Sequence, residues 1–178
     1  MKSLIAAAST IAVLAAVPAF AQAQSLSPTT VYGSLGYSQG RIEGVDLGAV
    51  QGRVGARFGQ HFGAEAELAG GVKDDKTHVA GVPVDVKLEH QAAIYGVGFL
   101  PVTPKADLYA RVGYGESKVK ASAAGASATG DGDSWNYGVG GQYFVDDANG
   151  VRVDYTRHDF KDDGGEADVW SLGYVRKF

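Results

Sequence analysis

The feature that most constrains this chain is a two-residue alternation that recurs along most of its length. Val50, Val54 and Phe58 alternate with Gln51, Arg53 and Arg57, and Ala64, Ala66 and Leu68 alternate with Glu65 and Glu67. Leu108, Ala110 and Val112 alternate with Tyr109 and Arg111, and Val151, Val153 and Tyr155 with Arg152 and Asp154. The same period runs through Val31 to Ser38, Asn136 to Tyr143 and Trp170 to Tyr174. Successive side chains of a strand point to opposite faces, so each segment has one apolar and one polar face. An eighth segment, Leu88 to Leu100, alternates less cleanly. Tyr95, Val97 and Phe99 are assigned to its apolar face with Gly96 and Gly98 opposite, and a slip of one residue reverses that assignment.

The first residues are of another kind. Lys2 precedes the apolar stretch Leu4 to Val17, Pro18 breaks it, and Ala19-Phe20-Ala21 overlaps Ala21-Gln22-Ala23. Small residues at these spacings are what signal peptidase accepts, so a secretory signal peptide is expected over 1–21, with cleavage after Ala23 as the alternative. The remaining 22–178 then form one domain. No later stretch approaches the roughly 18 apolar residues of a spanning helix. The chain has no Cys, which removes disulfides, Cys-based zinc sites and thiol nucleophiles. Its net charge of −4, without a basic block, argues against nucleic acid as a partner.

The connections between segments alternate in length. Gln60-His61, Pro101 to Asp107 and Asp146 to Gly150 are short, whereas about 39–47, 73–87, 116–134 and 157–168 are long and polar. Short turns on one rim and long loops on the other mark an up-and-down barrel of an outer membrane. Eight strands of about 9–11 residues leave room for seven connections, and sixteen would leave none. The expected fold is therefore all-β, an eight-stranded antiparallel up-and-down transmembrane β-barrel whose interior side chains can fill.

In such a barrel Arg53, Arg57, Glu65, Glu67, Arg111, Arg152 and Asp154 fall on the inward parity, with Gln51, Asn136 and Gln142. Arg53 and Arg57 neighbour Glu65 and Glu67 across a tight turn, where opposite charges on paired strands can face each other. Phe58, Tyr95, Phe99, Tyr114, Tyr137, Tyr143, Tyr155, Trp170, Tyr174 and Phe178 fall near the ends of the apolar face, as interfacial girdles require. Arg176 shares that face and is expected to snorkel to headgroups.

The run Asn136 to Tyr143, a short turn, and Gly150 to Phe160 resemble the penultimate hairpin of small OmpA-type outer-membrane barrel proteins, as does the close Ser171 to Phe178. Tyr174 and the terminal Phe178 resemble the family's C-terminal signal for the barrel-assembly machinery. Arg176 departs from that pattern, which has an aromatic or apolar residue there. The resemblance implies a lipid-embedded barrel in the outer membrane of a Gram-negative bacterium, exported through the periplasm. It implies membrane lipid, lipopolysaccharide and the assembly machinery as partners, a monomer, and no cofactor.

Catalysis is not expected. His158 invites comparison with barrels that deacylate lipid A through a serine–histidine pair, but Asp159 and Phe160 follow it and no serine is locally in reach. It reads as a rim loop residue. His61, His78 and His90 are scattered without metal-ligand spacing. Asp74-Asp75, Asp131-Gly132-Asp133 and Asp162-Asp163 read as hydrated loop charges. The expected role is structural and envelope-maintaining. A narrow passive pore and a surface adhesin are the alternatives, ahead of a soluble lipocalin-like barrel or a lipid A-modifying enzyme.

Overall fold

The computed structural model describes residues 29–178 apart from 43–44, 74, 80–81, 124–125 and 162–164, so the expected leader lies outside the described residues. Among the described residues nine strands follow one another: β1 (Thr29–Ile42), β2 (Val45–Phe58), β3 (Phe62–Lys73), β4 (Asp75–Val79), β5 (Val82–Thr103), β6 (Ala106–Ala123), β7 (Ala126–Phe144), β8 (Asn149–Phe160) and β9 (Glu166–Lys177). All neighbouring pairs are antiparallel, β1 pairs with β9, and β3 pairs with β5. That last pairing closes eight strands into a barrel. The ninth, β4, lies outside the closed ring and forms a small hairpin on the start of β5.

Three tight turns share one rim, at 59–61, 104–105 and 145–148. Gly59 takes a positive φ of 66°, which glycine adopts without strain and which lets β2 reverse directly into β3. Asp146 caps the third turn by accepting the backbone N–H of Ala148 at 2.8 Å and of Asn149 at 2.6 Å. The Asn149 side chain and these N–H groups hold its carboxyl below the usual range. At the same rim the Phe178 N–H donates to the Val31 carbonyl at 2.9 Å, tying the chain's end to the first strand.

The opposite rim corrects one expectation. Much of what reads as loop is strand: β1 and β2 pair as far as Ile42 and Val45, and β6 and β7 as far as Ala123 and Ala126. Beyond the lipid a ladder needs no apolar face, so it continues where apolar alternation has stopped. The hydrogen bonds, not the hydrophobic pattern, set its length.

The barrel is inverted relative to a soluble one. Leu35, Val54, Leu68, Val139, Val153 and Leu172 are exposed on the outside, while Arg53, Glu65, Glu67, Arg111, Arg152 and Asp154 are buried within. Outward aromatic pairs stand near one rim, Tyr114 against Trp135 with ring centroids 5.5 Å apart and Tyr155 against Trp170 at 5.1 Å. Phe58, Phe62, Tyr143, Tyr174 and Phe178 stand exposed near the other. Arg176 is exposed there too, with its guanidinium 5.8 Å from the Phe178 ring centre.

The eighth segment takes the opposite register from the one assigned. Tyr95, Val97 and Phe99 are buried in the lumen, and Ile94, Gly96, Gly98 and Leu100 face out, with Ile94 68% and Leu100 60% exposed. A shift in the β5–β6 register between Leu88 and His90 marks a bulge at the outer end of this segment. Both buried rings pack on arginines of the interior, which repays their removal from the lipid face.

Glycines take different roles on the two faces. A Cβ on inward Gly138 would lie 2.8 Å from Thr156 Oγ1 and 2.9 Å from Arg111 Nε, and one on inward Gly55 would lie 2.5 Å from the Tyr32 ring. On outward Gly52 or Gly98 it would meet nothing within 4 Å. We predict that Gly138→Val destabilises by about 1–3 kcal/mol through overpacking, whereas Gly98→Val is neutral or stabilising. Urea unfolding in detergent micelles measures both, and equal effects at the two positions would contradict the assignment of faces.

Candidate functional site

The lumen's middle is filled by ions and phenols supplied by six of the eight barrel strands. Arg53 on β2 donates from Nε to Glu67 Oε2 at 2.6 Å, directly opposite it on β3. Its two terminal nitrogens grip Asp154 on β8 at 2.8 and 2.9 Å. Arg111 on β6 reaches the same two carboxylates, Glu67 at 2.8 Å and Asp154 at 3.1 Å, and donates to Thr156 Oγ1 at 2.6 Å. Arg152 on β8 forks onto Glu65 of β3 at 2.5 and 3.1 Å. None of these six charged side chains is more than 2% exposed. Three guanidiniums thus oppose three carboxylates, and the buried cluster is neutral.

The remaining lone pairs and protons are taken up by neutral groups. Tyr32 donates to Glu65 at 2.8 Å, Tyr109 to Asp154 at 3.0 Å, and Tyr95 to Glu67 at 3.3 Å. Gln91 also donates to Glu67 at 3.3 Å, and Asn136 to the Tyr95 hydroxyl at 3.2 Å. Arg111 lies 4.3 Å from the Tyr95 ring centre and Arg152 4.1 Å from that of Tyr109. A desolvated cation gains from a ring face beneath it. This explains why Tyr95 points inward: its ring and its hydroxyl both have work in the lumen, and neither has any in lipid.

Arg57 stands apart from this cluster. Cross-strand neighbourhood placed it beside Glu65 and Glu67, but its register partner is Gly63. It crosses instead to Asp107 on β6, at 2.9 and 3.1 Å, donates to the Gln60 carbonyl, and lies 4.4 Å from the centre of the Phe99 ring. Gln142 donates to the same Asp107 at 2.9 Å. Asp107 is the charged site residue that the sequence expectation lacks, because it falls within the expected turn Pro101 to Asp107. Its parity with Tyr109 and Arg111 was the available signal.

His158 is also placed differently from the rim-loop reading. It sits on β8 with its side chain 3% exposed, inside the barrel, opposite Asn136 of β7 and Ala167 of β9. A lipid-facing dyad with a serine is therefore not what this position offers. Among the acidic pairs, Asp133 accepts from the Tyr114 hydroxyl at 2.8 Å, while Asp74, Asp162 and Asp163 lie outside the described residues. Among the described residues no group of three or more His, Cys, Asp or Glu side chains is arranged to hold a metal ion.

The barrel is thus closed and antiparallel, with a lipid-compatible exterior and an ionic interior. A family model described as outer membrane protein beta-barrel domain matches residues 9–178. The chain belongs to that family. As an outer membrane protein β-barrel domain it is similar in structure to Ail, the attachment invasion locus protein of Yersinia pestis, crystallised with the heparin analogue sucrose octasulfate. The TM-score is 0.63 at 20% identity, covering 84% of this chain and 99% of that one. The N-terminal β-barrel domain of Pseudomonas aeruginosa OprF gives a TM-score of 0.60 at 12% identity over 85% and 98% of the two chains. OprG of the same organism gives 0.59 at 11% over 85% and 96%. A comparison with curated proteins finds no match. At these identities the shared property is the fold.

Removing one member of a buried ion pair leaves a charge without a partner, at a cost of about 3–5 kcal/mol, while replacing both with apolar residues costs little. We therefore predict strong coupling between Arg152→Met and Glu65→Leu in a double-mutant cycle, read from urea unfolding in micelles. Arg57→Met and Glu65→Leu, which share no contact, should be additive within about 0.5 kcal/mol. The reverse ranking would refute the pairing described.

Proposed function

We propose that this outer membrane protein β-barrel domain is a structural, envelope-maintaining element of the outer membrane of a Gram-negative bacterium, acting as a closed monomeric barrel. The observation that carries this reading is the neutral ion network across the mid-lumen. Its charges are spent on one another and on tyrosine hydroxyls, so none of them is left over to take up a passing ion. The outer surface supports residence in lipid and contact with lipopolysaccharide through the outward girdles. Tyr174 and Phe178 serve as the assembly-machinery signal in this reading. In the folded barrel Tyr174 donates to Asn149, and the Phe178 N–H is bound to β1. The passive-pore alternative requires the ion network to part.

A specific observation favours a second role at the cell surface. Past the ends of β3 and β8, the strands β4, β5, β6 and β7 continue as a sheet beyond the barrel wall. Among the described residues, 126–132 of β7 have no partner strand on the β8 side, the Asp133 carbonyl accepting the Lys161 N–H at 2.9 Å. An open edge of this kind can accept a strand from another protein. Ail, which shares the fold, is an attachment invasion locus protein. Bacteria displaying this chain would then adhere to cultured animal cells and lose adhesion when the β6–β7 hairpin is shortened, whereas a purely structural role leaves adhesion at background.

The structural reading predicts that the refolded chain migrates as a compact species in detergent gels until boiled. It also predicts no steady conductance in planar bilayers. Stable ion-conducting steps from a folded, heat-modifiable sample would decide for the pore.

A further inference from the structure

The outer end of the lumen differs from its middle. Tyrosines and arginines give way there to Ser38, Ala49, Ala93, Ser117 and Ser134, all buried. They leave a chamber of about 50 Å³ whose polar lining is Ser38, Gln91, Ser117 and His158 and whose apolar lining includes Leu47, Leu88, Phe160 and Val169. His158 Nδ1 is buried and has no hydrogen-bonding partner in the protein. The ring is kept in place by Phe160, stacked at 6.4 Å and 22°. The ring that carries this unpartnered nitrogen also lines the chamber, where a guest can reach it.

The lining identifies that guest. The Ser38 hydroxyl donates to the Ala49 carbonyl at 3.4 Å and Gln91 to Glu67 at 3.3 Å, so the second amide hydrogen of Gln91, the Ser117 hydroxyl and the imidazole are the groups able to donate to a guest, and among the described residues no carboxylate lines the chamber. Since one water needs roughly 10–15 Å³, this volume holds a few particles of that size. A single halide fits, and a phosphate tethered to a lipid does not. The outward, charge-free part of β8 ends at Tyr155, because Arg157 already pairs with Glu166 and Asp168, so His158 lies beyond the lipid-crossing segment.

We propose that this chamber is a proton-linked site for a small monovalent anion of the halide class, taken up together with a proton on His158. On neutral imidazole the chamber holds water. Protonation places a positive charge beside a narrow, partly open space with an apolar wall, and the entering anion makes the contents neutral again. Burial pushes the empty-chamber imidazole down to about 4, Glu67 opposes that shift, and Arg111 and Arg53 add to it. Those three, on β3, β6 and β2, are the charged groups that act on the ring. The other elements present Ser38 from β1, Gln91 and the deeper Tyr95 from β5, Ser134 and Asn136 from β7, and Ala167 and Val169 from β9. Because Arg53, Arg111 and Glu67 are bound to one another and to Asp154, none turns towards the chamber as its counter-ion.

Binding linkage is reciprocal, so an anion that prefers protonated His158 must raise the pH at which His158 titrates by the same factor. The test follows the histidine ring signals of the refolded chain in micelles by NMR, exchanging sulfate for bromide at constant ionic strength. The expected result is a His158 midpoint at least one pH unit higher in saturating bromide, a tenfold linkage, with exposed His61 and His90 unmoved. Ser117→Ala should shrink the bromide effect several-fold, measured against the same variant's own midpoint in sulfate. A His158 midpoint equal in the two salts, equal shifts at all histidines, or no His158 titration above the pH of acid unfolding would each overturn the proposal.

Discussion

Everything in this molecule follows from the requirement that backbone N–H and C=O groups crossing lipid find partners within the protein. A single sheet meets it only by joining its own edges, which the β1–β9 and β3–β5 pairings do. Closure dictates the rest. Once the sheet is a cylinder, one face of every strand meets acyl chains and the other meets an interior too narrow for bulk water. Apolar residues have to go out, and whatever goes in has to satisfy itself.

The interior satisfies itself through arginine. The planar guanidinium has several donors in fixed directions and tolerates an aromatic face, so each of Arg53, Arg111 and Arg152 joins strands that are not neighbours in the sheet. Glu67 and Asp154 each receive two different arginines. Lysine could not span these positions in two directions at once. Against an apolar filling of equal volume such a network adds little net stability, but it penalises every wrong register, because a one-residue slip would turn charges into lipid.

Much of this was legible in the sequence, and its failures have definite causes. Seven segments carry bulky apolar residues on one parity, with charges or amides on the other in five of them and mainly serine and glycine in the remaining two, so their facing is unambiguous. β5 carries aromatics on one parity and glycines on the other. Size suggested that the aromatics face lipid, yet Tyr95 and Phe99 serve as platforms for Arg111 and Arg57, and only Ile94 and Leu100 marked the lipid side. Arg57 was paired by proximity along the hairpin, whereas a long side chain in a narrow tube reaches across it as easily as beside it. Val79, Val82, Val84 and Val86 signal the extension of β4 and β5 beyond the lipid, whereas the other extensions had no signal, since hydrogen-bonded ladders in water leave no imprint on hydropathy.

The network also joins parts of the chain that are far apart in sequence. Arg53 and Asp154 are separated by 101 positions, and Glu65 and Arg152 by 87. Neither contact can form until the late strands have come round to meet the early ones. An unfinished barrel would hold these charges unmatched, so partial structures gain nothing from them and the last step gains all of it at once. Contacts completed after the folding barrier retard escape from the native state more than they speed arrival. The ions at the centre therefore act in time as well as in space, as a clasp that fastens last and is slow to let go.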